Sequence, residues 1–164
     1  MKKIIPFLLL LLAAPVFSQN SIVKGVKING LGLGATYRDV IRKFGKPGSE
    51  KKRKADECVG GTEMTLNYPG LKFRLWDDHG NPKKFTVGWL EVTSARWDVS
   101  GARVGNKAAS IKKLVGTRTS EEIDSDTGRR VWYYEMDENV GPGTTNFSFR
   151  GGKVVGIVSL WLMC

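Results

Sequence analysis

The chain has 164 residues, 41% of them hydrophobic and 26% charged, which is enough apolar material for one ordinary core or two small ones and excludes a disordered chain. Its 26 Lys and Arg against 16 Asp and Glu give a formal charge of +10, which favours partners of negative charge and says little about fold. One histidine, His79, and two cysteines exclude most metal cages and every Ser/His/Asp or Cys/His machine that does not use His79.

The N-terminal segment reads as an address. Lys2 and Lys3 form a positive region, Ile4 to Ala14 an apolar run interrupted only by Pro6, and Val16-Phe17-Ser18 a cleavage context, which predicts a secretory signal peptide over residues 1–18 and a mature start at Gln19. The apolar run is shorter than the roughly 18 to 20 residues a membrane span needs, so no transmembrane span is expected after cleavage. Losing Lys2 and Lys3 lowers the formal charge from +10 to +8, and the mature chain stays basic. In an oxidising compartment Cys58 and Cys164 are the one intrachain disulfide available, the other reading being two unpaired thiols.

After a short strand, Tyr37, Val40, Ile41 and Phe44 recur at helical spacing, with Thr36 placed to cap, Gly45 to terminate and Pro47 beyond. Lys51-Lys52-Arg53-Lys54 reads as a solvated edge strand defended by lysine, or as a surface for anionic envelope polymer or lipid. Met64, Leu66 and Tyr68 then alternate with polar residues, Pro69-Gly70 turns the chain, and Leu71, Phe73 and Leu75 alternate in turn. A polar turn from Asp77 to Pro82 precedes a strand from Phe85 to Val92. Asp77-Asp78 and His79 are read there as solvated turn residues, not as an acid/base pair or a metal site.

A second helix is expected through Ala108, Ile111, Leu114 and Val115, with Asn106 as cap and Gly116 as stop. Glu121, Glu122, Asp124 and Asp126 before Thr127-Gly128 read as a hairpin turn, followed by strands at Val131 to Met136, Phe147 to Phe149 and Val154 to Met163. Shifting the chain by 71 residues lays Gly30, Gly34 and Gly45 on Gly101, Gly105 and Gly116, and lays Ile28, Leu33, Val40 and Phe44 on Val99, Val104, Ile111 and Val115. The expectation is an α+β fold of two tandem repeats, each a helix packed on a small antiparallel β-meander sheet. Residues 19–94 would form the first and 95–164 the second.

The run Ile28-x-Gly30-x-x-Leu33-Gly34-x-Thr36-x-x-Asp39-Val40-x-x-x-Phe44-Gly45-Lys46-Pro47, with Phe147-x-Phe149-x-x-Gly152-Lys153-Val154-x-x-Ile157 later, resembles the repeat shared by the beta-lactamase inhibitory proteins (BLIP) and the BamE-like (SmpA/OmlA) envelope lipoproteins. The resemblance implies a protein-binding role as an enzyme inhibitor or envelope-assembly factor. It places the inhibitory loop at Asn67-Tyr68-Pro69-Gly70, where Asn67 stands in the position of an acid and Tyr68 keeps the aromatic.

The aromatic residues support binding by themselves. Trp76, Trp89, Trp97, Trp132, Tyr133, Tyr134 and Trp161 fall on strands or their ends, and Tyr133 projects to the face opposite Trp132 and Tyr134. Tyr68, Tyr133, Trp89 and Trp161 are therefore the expected protein-binding residues of a secreted or periplasmic, non-enzymatic module. Its partner would be a protein of the envelope or exterior, or alternatively an anionic polymer or lipid, and not nucleic acid. No Walker A run, dinucleotide fingerprint or zinc spacing is present, and no catalytic residue, metal or cofactor is expected.

Overall fold

A computed structural model of the protein describes residues 25–57, 59–78, 81–137 and 141–162. The signal segment and both cysteines, Cys58 and Cys164, and with them the expected cleavage site and disulfide, lie outside the described residues.

A two-residue-per-strand hairpin, β1 (Lys27–Ile28) with β2 (Leu31–Gly32), leads into helix α1 (Tyr37–Phe44). The start of α1 follows from its sequence: Thr36 is extended, its Oγ1 accepts the Asp39 N–H at 3.2 Å, and Asp39 Oδ2 accepts the Thr36 N–H at 3.1 Å, which closes a capping box. Gly45 ends the helix at φ 75°, in the left-handed region that a side chain disfavours. Helix α2 (Ala108–Val115) starts one residue later than Asn106 suggests. Its cap position is Lys107, which makes no side-chain cap bond, because the Asn106 side chain instead accepts the Arg103 N–H at 2.7 Å.

The remaining strands are β3 (Ser49–Lys54), β4 (Thr62–Tyr68), β5 (Leu71–Asp78), β6 (Asn81–Val92), β7 (Ser120–Ile123), β8 (Arg130–Glu135), β9 (Gly143–Arg150) and β10 (Lys153–Trp161). They form one eight-stranded antiparallel sheet in the order β3-β4-β5-β6-β10-β9-β8-β7. β3, with its lysine run, is one edge; β7, whose acidic residues suggested only a turn, is the other. The polar turn expected from Asp77 to Pro82 is shorter than that, since β5 runs to Asp78 and β6 begins at Asn81.

The expected fold class is corrected by this topology. Among the described residues there are not two tandem repeats with a small meander sheet each, but one large sheet with two helices of eight residues beside it. Hairpin and helix signals are local, whereas the seam of the sheet is the ladder between β6 and β10, from Ile157 against Val92 to Leu160 against Trp89. Left as sheet edges, β6 and β10 would expose unpaired backbone beside strongly apolar side chains, and pairing them removes both costs.

Both helices cover the same face. Val40 of α1 and Ile111 and Val115 of α2 belong to one core with Leu66, Phe73, Leu75, Val87, Leu90, Phe147 and Ile157, all of them fully buried or nearly so. The alternation of each strand supplies this face, and bulges at Arg74/Leu75 and Val154/Gly156 keep it in register across β5, β6, β9 and β10. The polar pair inside it, Thr145 and Ser159, is fully buried and satisfied by a 3.1 Å hydroxyl–hydroxyl hydrogen bond.

Candidate functional site

The alternate residues of the same strands make the opposite face of the sheet, on which neither helix packs. Register places them in two rows running across the strands. One row reads Lys51, Thr65, Arg74, Trp89, Leu160, Thr144 and Glu135; the next reads Asn67, Lys72, Glu91, Val158, Asn146 and Tyr133. Trp89, Leu160 and Val158 are half-exposed and adjacent on β6 and β10, so the seam of the sheet carries the apolar part of this open face. The Trp89 ring also holds the Arg74 guanidinium 4.6 Å and the Lys72 ammonium 5.6 Å from its centroid, while Lys72 pairs with Glu91 at 2.9 Å.

At the β3 side of the face sits an ion cluster that reading the chain linearly did not reveal. Glu63 is only 3% exposed; its two oxygens accept from Arg53 Nε at 3.1 Å and from an Arg53 terminal nitrogen at 3.0 Å, and Arg74 Nε lies 4.0 Å away. A nearly buried carboxylate needs such pairing, and the two-point bond fixes the guanidinium plane of Arg53. The signal is present in part, since Arg53 lies in the basic run, but nothing local marks Glu63, which only the register of β3 with β4 sets beside Arg53.

The expected binding residues divide between the faces. Trp89 and Tyr133 are on the open face, with Trp132 and Tyr134 buried on the other, where they stack on Phe149 at 4.5 Å and Phe147 at 5.6 Å. Tyr68 and Trp161 lie on the helix side. Tyr68 packs against Phe44 and Phe73 at 5.9 and 6.1 Å and donates its hydroxyl to the Gly45 carbonyl at 2.9 Å, while Trp161 covers Gly34, where a Cβ would come within 3.1 Å of the indole. The Pro69-Gly70 loop is therefore a two-residue hairpin turn whose tyrosine is half-buried against α1. Among the described residues no group of three or more His, Cys, Asp or Glu is placed to hold a metal ion.

All four tyrosines have phenols shifted upward. Burial pushes Tyr68 up to about 12; burial followed by its hydrogen bond to Glu122 does the same to Tyr133. Tyr37 is raised first by its hydrogen bond to Glu50 and Tyr134 by burial. Because the folded protein holds the Tyr68 and Tyr133 protons more tightly than an unfolded phenol of pKa about 10, their contribution to stability is complete below about pH 10 and is lost as pH rises through about 12. Ultraviolet titration of the folded protein is expected to show the phenolate steps of Tyr68 and Tyr133 only near pH 12, and the urea midpoint to fall as pH rises from about 10 toward that value. A step of either residue at the ordinary position in the folded protein would contradict this placement of the tyrosines.

No family model matches the chain, and no curated protein does. Among solved structures, an extracellular protein containing an SCP domain, from Bacillus anthracis str. Ames, is similar at a TM-score of 0.50 and 15% sequence identity over 80% of this chain. The similarity covers 44% of that protein, so this chain spans less than half of its length, and the likeness concerns the fold alone. The expected membership of the inhibitory and BamE-like group is corrected by these findings. The motif that suggested it consists of glycines and core residues at strand-to-helix junctions, which report the geometry of a junction and not descent. Among the described residues no helix is long and apolar enough to cross a membrane.

Proposed function

We propose that this chain is an exported, non-enzymatic binding module that docks a protein partner on the open face of its sheet. Export rests on the positive and apolar character of residues 1–18. Docking rests on one observation: Trp89, Leu160 and Val158 lie side by side, half-exposed, at the centre of a face to which neither helix contributes. A large aromatic with aliphatic neighbours and a cationic surround has the composition of a protein-recognition centre. Tyr133 extends that strip toward β8, and Tyr68 and Trp161, on the helix side, take no part in it.

Photo-crosslinkers placed at Thr144 on the open face and at Lys112 on α2 test the reading in the protein's own secreting cells. Adducts are expected from position 144 only, and the Trp89→Ala/Leu160→Ala pair is expected to reduce them at least roughly tenfold without moving the thermal transition by more than a few degrees. Equal adducts from both positions, or capture indifferent to the pair, would place docking elsewhere.

A further inference from the structure

We propose that the β3–β5 part of the open face is a binding groove for a linear anionic polysaccharide, separate from the apolar strip at the seam. A groove of about 400 Å³ runs here, and Lys51, Arg53, Glu63, Thr65, Lys72 and Arg74 are among its lining residues. Its four open-face cations, Lys51, Arg53, Lys72 and Arg74, set against Glu63 and the neighbouring Glu91 leave an excess of two positive charges, while Lys52 turns to the other face over Phe85. The cations are reachable: the side chains of Arg53, Lys72 and Arg74 are 65%, 39% and 38% exposed. They are also positioned, because nearly buried Glu63 holds Arg53 by two hydrogen bonds with Arg74 close by, and the Trp89 ring carries Arg74 and Lys72 on its face. Side chains already held in place lose less freedom when a ligand binds.

The lining selects among anionic partners. It contains no apolar side chain, whereas the buried centre of a protein interface is apolar and poor in lysine, so a protein fits the seam better than this groove. Neutral Thr65 stands between Lys51 and Arg74, two strand spacings or about 10 Å apart, and Asn67 stands beside Lys72. The Thr65 hydroxyl donates to Glu63 at 3.3 Å and the Asn67 amide to Ser49 at 3.0 Å, which leaves their oxygens as acceptors between cations, a match for a chain whose acidic groups are separated by donating sugar hydroxyls. A bare polyphosphate would leave them unused, and a flat lipid surface would not reach groups set into the face of a sheet.

The test measures binding of the mature protein to a size-defined heparin oligosaccharide at about 0.15 M salt, with poly-L-glutamate and phosphatidylglycerol vesicles as the other arms. Lys72→Gln/Arg74→Gln is expected to weaken oligosaccharide binding at least about tenfold and Lys51→Gln a few-fold. Lys112→Gln/Lys113→Gln, the same charge change on the exposed side of α2, is expected to alter it by less than about twofold. Arg53 is kept throughout, since its loss would leave Glu63 buried with only the Thr65 hydroxyl and the more distant Arg74; the single Lys51→Gln change, on a fully exposed edge strand, carries the test if the double variant folds poorly. Equal losses from the β5 pair and the α2 pair would show binding by net charge and overturn the proposal, as would glutamate polymer or vesicles binding as tightly as the oligosaccharide, or no binding at this salt. Lys72 and Arg74 also lie on the Trp89 ring, so the Lys51→Gln arm, which leaves Trp89, Leu160 and both of these cations in place, is the one that lets this proposal and the protein-docking reading fail separately.

Discussion

Phe73→Ala is expected to destabilise the protein by about 3–5 kcal/mol and to lower its thermal midpoint by roughly 8–15 °C. Phe73 is fully buried at the centre of β5, between Leu66 on β4 and Leu90 on β6. Its ring lies 5.3 Å from Phe44 of α1 and 6.1 Å from Tyr68, so one truncation removes contacts to the helix, to the hairpin and to both neighbouring strands. Collapse into the space is resisted from three sides, which puts the cost in the range for large cavities. Lys72→Ala, one residue away on the open face, gives up one surface ion pair and the ammonium's place over the Trp89 ring, and is expected to cost about 1 kcal/mol. Chemical denaturation of both variants checks the assignment of faces, and similar losses from the two would refute it.

Gly70→Ala is expected to cost about 2–4 kcal/mol, from two separable sources. Gly70 follows Pro69 in the turn joining β4 to β5 and sits at φ 68°, as the second central residue of such a turn requires. A Cβ added there would also come 2.2 Å from the Ser94 Cβ and 3.2 Å from the Ser94 backbone nitrogen, while the Gly70 carbonyl accepts the Thr93 N–H at 3.0 Å. The turn is thus pressed onto the chain leaving β6, and relief would require backbone to move. Gly151 provides the control. It lies at φ 55° in the turn between β9 and β10, and a Cβ there meets open space, so Gly151→Ala is expected to cost only the backbone part, about 1 kcal/mol. Urea midpoints with unchanged slopes are the measurement, and equal shifts for the two variants would mean that Ser94 yields without cost.

What the residues of this chain determine locally is considerable. Tyr37, Val40, Ile41 and Phe44, with Thr36 before them and Gly45 after, define α1 at the limits the structure shows, because cap chemistry and a helical period act within one or two turns. The alternation of Met64 to Tyr68 and Leu71 to Leu75 around Pro69-Gly70 likewise defines a hairpin, and the lysines of β3 mark a strand at an edge. Tyr133 falls opposite Trp132 and Tyr134 for the same reason, since a strand has a period of two. Tertiary structure alone decided that β6 pairs with β10 to make a single sheet, that both helices cover the same face, that Tyr68 and Trp161 turn toward the helices while Trp89 turns away, and that Glu63 lies locked between Arg53 and Arg74. Each of these depends on pairing between residues distant in the chain. Such pairing is selected by the apolar surface and backbone groups it buries together, a quantity no window of sequence contains.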